Sequence, residues 1–237
     1  MKSEKIRPEF VQVVSGGPKR VLIVDDHPLV REGIAALIRA TPSLGVSAEV
    51  GSAEEAFESI AKDPPDLVLL DISLPGKSGL DFIKELHVIN PNIYVLVLSM
   101  HEESVYAERA LRVGAYGYIM KQEPSEKVIE AIQRVLCGEF YVSPSIASHL
   151  LKQYVQNGQG SDTCSCVERL SNRELQVFVA IGKGQSTQEV ADKFSLSVKT
   201  VQTYREHIKR KLGLRNATDL VYNATQWVAS EAGVVCS

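Results

Sequence analysis

The sequence predicts an α/β domain built on a parallel sheet, followed by a smaller all-α domain. Three observations carry this. Between Lys19 and Gly138, short apolar runs alternate five times with segments whose apolar residues recur at helical spacing. Beyond about residue 167 the strand-like runs stop and helix-start signals crowd together. The charge also reverses: residues 19–142 carry net −7 and residues 167–237 net +3, within a chain of 237 residues whose total is only −3. An acidic front and a basic rear point to two domains with different partners.

The front elements follow in order. RVLIVDD (20–26) reads as a buried strand ending on two aspartates. PLVREGIAALIRA follows as a helix, with Pro28 at its start and Val30, Ile34, Leu37 and Ile38 at helical spacing. VSAEV (46–50) is a short strand, and Ser52 with Glu55 forms a capping box that opens the next helix. DLVLLDISLPGKSG (66–79) holds the third strand, four apolar residues running into Asp71 and then a Pro75-Gly76 turn; a helix over 79–89 follows. IYVLVLS (93–99), a helix over about 102–113, AYGYIMK (115–121) and a helix from about Pro124 to Gly138 complete five βα units. Such a sheet has helices on both faces and resembles the flavodoxin-like order.

Residues 1–18 read as a polar, poorly ordered tail. A short helix over about 144–156 and a Gly/Ser-rich tether lead to the rear domain, so the expected division is 19–140, a linker over 141–167, and 168–232. In the rear domain, Ser171 with Glu174 and Ser186 with Glu189 form capping boxes for two helices. The turn SLS (195–197) leads into a strongly basic third helix capped by Ser197, and a fourth runs from about 217 to 228. Two helices joined by a three-residue turn, the second basic, read as helix-turn-helix.

No apolar run is long enough to span a bilayer, and MKSEKIRPEF lacks the apolar core of a secretory signal, so a cytoplasmic protein with no membrane partner is expected. The four cysteines fit no common zinc spacing; the Cys164-Ser-Cys166 pair is read as reduced linker cysteines rather than a redox pair.

The polar residues at the strand ends share one edge of the sheet. Asp25 and Asp26 end the first strand, Asp71 the third, Ser99 the fourth and Lys121 the fifth. Three carboxylates make a hard oxygen site suited to Mg²⁺, and alone they would raise one another's pKa. A divalent cation and one lysine offset that. A phosphoryl group on Asp71 would be held by the metal, by Lys121 and by the Ser99 hydroxyl. On the basic helix, Val201, Ile208 and Leu212 share one face with Tyr204 at its margin. Lys199, Gln202, Thr203, Glu206 and Arg210 share the other, with Lys209 at its edge. The second face would enter the major groove: the cations hold phosphates, Gln202 and Thr203 read base edges, and Glu206 pairs with a neighbouring cation or accepts from a cytosine.

VDDHP, LLDISLPGKSG, VLSM and GYIMK together resemble the receiver domain of bacterial two-component response regulators, and the match covers nearly all of 19–140. The resemblance implies phosphoryl transfer from a histidine kinase to Asp71. Asp26, Asp71 and the main-chain carbonyl of Ser73 would bind Mg²⁺ directly and Asp25 largely through water. Tyr118 falls at the switch aromatic position, which turns inward when Ser99 moves to the phosphoryl group. LSNREL, IGKGQSTQEVADKFSLSVKTVQTY and KRKLGLRNATDL resemble the LuxR-type helix-turn-helix of the NarL/FixJ regulators. There the fourth helix commonly forms the dimer contact, which implies Ala217, Leu220, Val221 and Ala224 here. The expected protein is therefore not an enzyme. It is a double-stranded-DNA-binding transcription regulator that becomes a homodimer when phosphorylated.

The chain departs from the family pattern at Gln122, often proline, whose preceding peptide is often cis; at Ser99, commonly threonine; at Tyr204, often histidine; and at Met100, usually small, which is expected to narrow access to Asp71. One rival reading keeps the DNA-binding function but makes it independent of phosphorylation. Another, an aspartyl-phosphate phosphatase, lacks the second aspartate usually found where Ser73 stands. A flavin-binding domain is disfavoured because the acidic DDHPLV would repel its phosphate.

Overall fold

Five apolar runs pair into one sheet because each is flanked by a helix that returns the chain in the same direction. The computed structural model describes residues 17–100, 103–157 and 166–231. The strands β1 (Lys19–Val24), β2 (Leu44–Val50), β3 (Leu67–Leu70), β4 (Tyr94–Ser99) and β5 (Gly117–Met120) lie in the order β2-β1-β3-β4-β5, all parallel. The helices of this domain are α1 (Pro28–Arg39), α2 (Ala53–Lys62), α3 (Gly79–Ile89), α4 (Glu103–Arg112) and α5 (Ser125–Leu136). Strand residues alternate between two apolar layers. Val21, Ile23, Leu67, Leu69, Leu96 and Leu98 pack with α1 and α5. Leu22, Val24, Val68, Leu70, Val95 and Val97 pack with α2, α3 and α4. Both faces of the sheet are dry, which is why the strands read as continuous apolar runs.

The expected capping box of α2 is half formed. Ser52 accepts from the Glu55 N–H at 3.2 Å, but the Glu55 carboxylate accepts from Gly51 rather than from Ser52. Among the described residues every peptide bond is trans, so the Lys121–Gln122 bond is trans as well.

After α6 (Pro144–Asn157) the tether and Cys164 lie outside the described residues, as does most of the N-terminal tail. A 3-10 turn at Cys166–Arg169, not expected from sequence, leads into α7 (Asn172–Gly182), α8 (Thr187–Lys193), α9 (Val198–Leu212) and α10 (Ala217–Glu231). Both expected capping boxes are complete, Ser171 with Glu174 and Ser186 with Glu189. Ser195 turns the chain between α8 and α9 with φ of +53°, and Ser197 caps α9 by accepting from the Thr200 N–H at 3.0 Å. Helix α10 lies on α7 at Gly182, where a Cβ would meet the Ala224 carbonyl oxygen at 2.4 Å. The apolar layer on the α3 and α4 side of the sheet continues into the core of this second domain through Leu170, Leu175 and Phe178.

Candidate acidic site and DNA-facing helix

Strand register sets the site. The Asp71 N–H donates to the Val24 carbonyl at 2.8 Å, the Asp25 N–H to Val50 at 3.1 Å, and the Lys121 N–H to Ser99 at 2.9 Å. The carboxyl ends of β1, β3, β4 and β5 are thereby level, and Asp25, Asp71, Ser99 and Lys121 converge there. Asp71 is 3% exposed. Its Oδ1 accepts from the Ser73 N–H at 2.9 Å and its Oδ2 from the Lys121 ammonium at 2.7 Å. The same ammonium lies 2.5 Å from Asp25 Oδ2. Burial pushes the Asp71 carboxyl above its ordinary pKa, against the pull of Lys121, and Asp25 adds to the rise. Burial works against the Lys121 charge too, but the two carboxylates outweigh it and hold the ammonium above its ordinary value. A single lysine thus stands against three carboxylates.

Asp25, Asp26, His27 and Asp71 each bring one potential ligand atom within 4.8 Å of the others. Hard carboxylate oxygens dominate the set, and it carries more negative charge than Lys121 neutralises, so these residues fit Mg²⁺. Sequence reasoning passed over His27. Its N–H donates to Asp25 Oδ1 at 2.9 Å and its Nδ1 lies 2.8 Å from Asp26 Oδ1. Arg31, four residues on and one turn into α1, donates to the Asp25 carbonyl.

Tyr118 is buried and hydrogen-bonded to Ser99, so its ring occupies the inward position in this structure. Burial raises its phenol well above the ordinary value, and the Ser99 hydrogen bond pulls the other way. Met100, beside Ser99, is 59% exposed and projects into solvent.

On α9 the two faces separate as the wheel predicts. Val201 and Ile208 are buried, and Tyr204 and Leu212 are half-buried. Lys199, Gln202, Thr203, Glu206 and Arg210 are exposed, with Lys209 half-buried at the edge. Glu206 pairs with Lys209 at 2.9 Å, and Thr203 spends its hydroxyl on the Lys199 carbonyl at 3.0 Å. The four residues expected at a dimer contact divide. Leu220 and Ala224 are fully buried inside their own domain, because they are the residues that seat α10 on α7. Ala217 and Val221 face solvent, and Tyr222, exposed beside them, was not anticipated.

The chain is similar to known proteins along most of its length. Residues 21–133 match the family described as "Response regulator receiver domain", and residues 168–224 the one described as "Bacterial regulatory proteins, luxR family". It is 34% identical to the oxygen regulatory protein NreC of Staphylococcus carnosus over 205 residues, covering 85% of this chain and 94% of the relative. It is 35% identical to NreC of Staphylococcus aureus strain JH9 over 206 residues, with the same coverage. A two-component response regulator of the LuxR family from Aurantimonas shares 34% identity, with a TM-score of 0.54 over 59% of this chain and 99% of that one. RcsB of Salmonella enterica bound to the P1flhDC promoter, 24% identical with a TM-score of 0.58 over 89% of this chain and the whole of the other, shares the fold. No described helix is long and apolar enough to cross a membrane. With a receiver domain joined to a LuxR-type helix-turn-helix, the chain belongs to the NarL/FixJ type of two-component response regulators and is a DNA-binding regulator of transcription.

Proposed function

We propose that Asp71 accepts a phosphoryl group from a histidine kinase in the cytoplasm, with Mg²⁺ in the site, and that phosphorylation promotes dimerisation and tighter operator binding. The observation that supports it is the Asp71 carboxylate itself, buried at the sheet edge between the Lys121 ammonium and the acidic pair. An Asp71 oxygen forms the bond to phosphorus, the donor's N–P bond breaks, and the kinase imidazole leaves with the electron pair. Lys121 leaves its ion pair with Asp71 and holds a phosphoryl oxygen, while the Ser99 hydroxyl exchanges Tyr118 for another. Asp25, Asp26, Asp71 and the Ser73 carbonyl would hold Mg²⁺, which supplies charge neutralisation at the transferring group. A phosphorylated pair of chains would meet through the exposed α10 residues Ala217, Val221 and Tyr222. On DNA, Lys199, Lys209 and Arg210 hold phosphates, Gln202 and Thr203 read base edges, and Glu206 stays with Lys209.

Intact mass after incubation with Mg²⁺ and acetyl phosphate tests the acceptor. One added phosphoryl on the wild type and none on Asp71→Ala is expected; no addition to a folded wild type overturns the proposal. A second reading, DNA binding without phosphorylation, draws support from the inward Tyr118 and the exposed reading face of α9. Equal operator affinity before and after phosphorylation would favour it.

A further inference from the structure

His27 stands at the position before a helix where Ser, Thr, Asp or Asn is usual, yet its side chain does not cap α1. Its main chain is held from both sides. Pro28 follows, which confines His27 to extended backbone, and its φ of −93° and ψ of 107° lie there. Its N–H donates to Asp25 Oδ1 at 2.9 Å, and its carbonyl accepts from the Val30 and Arg31 N–H groups, both at 3.1 Å. With the backbone so fixed, the imidazole turns back to the acidic pair. Nδ1 lies 2.8 Å from Asp26 Oδ1 and 3.2 Å from Asp25 Oδ1.

The Lys121 ammonium sits on the other side of the same carboxylates, against Asp25 Oδ2 and Asp71 Oδ2. Asp25 therefore meets the ammonium through one oxygen and the imidazole through the other. A proton on Nδ1 can serve the Asp25 and Asp26 oxygens in turn, whereas a cation in that space is bound by both and by the nitrogen. Three carboxylates less one ammonium leave two negative charges, which any divalent ion neutralises, so charge does not choose between ions. Ligand type does. Mg²⁺ takes oxygen in an octahedral shell that keeps several waters, and a nitrogen adds little to it. Zn²⁺ takes four ligands and accepts imidazole nitrogen together with carboxylate oxygen. The imidazole is 63% exposed, which opens the group to ions from solvent. Among the described residues no other three or more His, Cys, Asp or Glu side chains come together in this way.

We propose that His27 is a fourth side-chain ligand of the acidic site, and that its imidazole raises the affinity for Zn²⁺ while leaving that for Mg²⁺ as the carboxylates set it. This deepens the reading of the acidic group as a metal site and rests on that reading. It is independent of whether Asp71 accepts a phosphoryl group. The two ions share Asp26 and Asp71, so each excludes the other.

The test uses the full chain as wild type, His27→Ala and His27→Asn, the last placing a favoured residue at the start of α1. The thiols are alkylated beforehand so that cysteines do not compete for zinc. Zn²⁺ affinity is read by competition with a chromophoric chelator, counting only the zinc that excess Mg²⁺ displaces, and Mg²⁺ affinity is read by calorimetry. Both variants lose roughly tenfold or more in affinity for that zinc, and their Mg²⁺ affinity stays within about twofold of wild type. In wild type carrying ¹⁵N-labelled histidine, zinc shifts the ring resonances of one histidine, and these are the resonances missing from His27→Ala. Equal Zn²⁺ affinity in all three proteins, or no ring resonance that moves, overturns the proposal and leaves the Mg²⁺ site standing. A wild type that binds neither ion overturns both.

Discussion

The Lys121 ammonium lies 2.7 Å from Asp71 Oδ2, inside a site where both side chains are almost wholly buried. In the proposed transfer this ion pair would be exchanged for one between Lys121 and a phosphoryl oxygen. Lys121→Ala leaves Asp25 and Asp71 buried and close with no cation between them, and the Asp71 carboxyl loses the partner that holds its pKa down against burial. It also removes the donor that would meet the incoming charge. Phosphoryl uptake should fall roughly a hundredfold, measured by intact mass at saturating Mg²⁺. Uptake at the wild-type rate would show that Lys121 plays no part in the transfer.

Glu174 is a buried carboxylate at the start of α7. Burial pushes its carboxyl up, but hydrogen bonds from Lys211 and Ser171 outweigh this and hold it below its ordinary 4.5. A carboxyl depressed on folding contributes stability above its unfolded value and loses it as pH falls through the folded one. Glu174→Gln should therefore cost about 1–3 kcal/mol near neutral pH, with the difference closing as pH falls below 4.5. Urea unfolding of both proteins between neutral and strongly acidic pH checks this; a gap that persists unchanged at low pH contradicts it.

On the recognition helix, different residues should fail in different ways. Gln202→Ala should lose discrimination at one base pair, by about 1–3 kcal/mol, without changing the salt dependence. Arg210→Ala should weaken all sequences alike and reduce the slope of affinity against log salt by about one. Binding titrations at several salt concentrations, on operator and unrelated DNA, separate the two.

Gly79 is where α3 meets the acceptor strand. A Cβ there would stand 2.7 Å from the Ile72 Cα and 2.9 Å from the Asp71 carbonyl oxygen, both backbone atoms that cannot swing away. Gly79→Ala should cost about 2 kcal/mol or more in thermal or urea unfolding and displace Asp71 from its register. Wild-type stability would mean that α3 can slide at no cost.

The sheet and most of the site could be read from the chain because both follow local rules. Dry strands flanked by turn formers and ending on Asp25, Asp71, Ser99 and Lys121 had one plausible register. The α9 faces followed from its period, and two caps from their spacing. What could not be read depends on distant partners. Leu220 and Ala224 look like any apolar helix stripe, and only the packing of α10 on Gly182 decides that they face inward. Arg173 and Gln176 are polar residues opening a helix, which ordinarily face water; the carbonyls that bury them lie about a hundred positions earlier. The half-formed box at Ser52 shows the same limit at short range, since Gly51 rather than Ser52 took the Glu55 carboxylate.

The open face of α9 has a kinetic consequence. With Lys199 and Arg210 in solvent, the unphosphorylated protein would already be drawn to DNA phosphates and could slide and hop along the duplex. The signal then need not gate the first encounter. If phosphorylation tightens operator binding as proposed, the gain would then fall on how long a chain remains once it has arrived, on residence time rather than on the search.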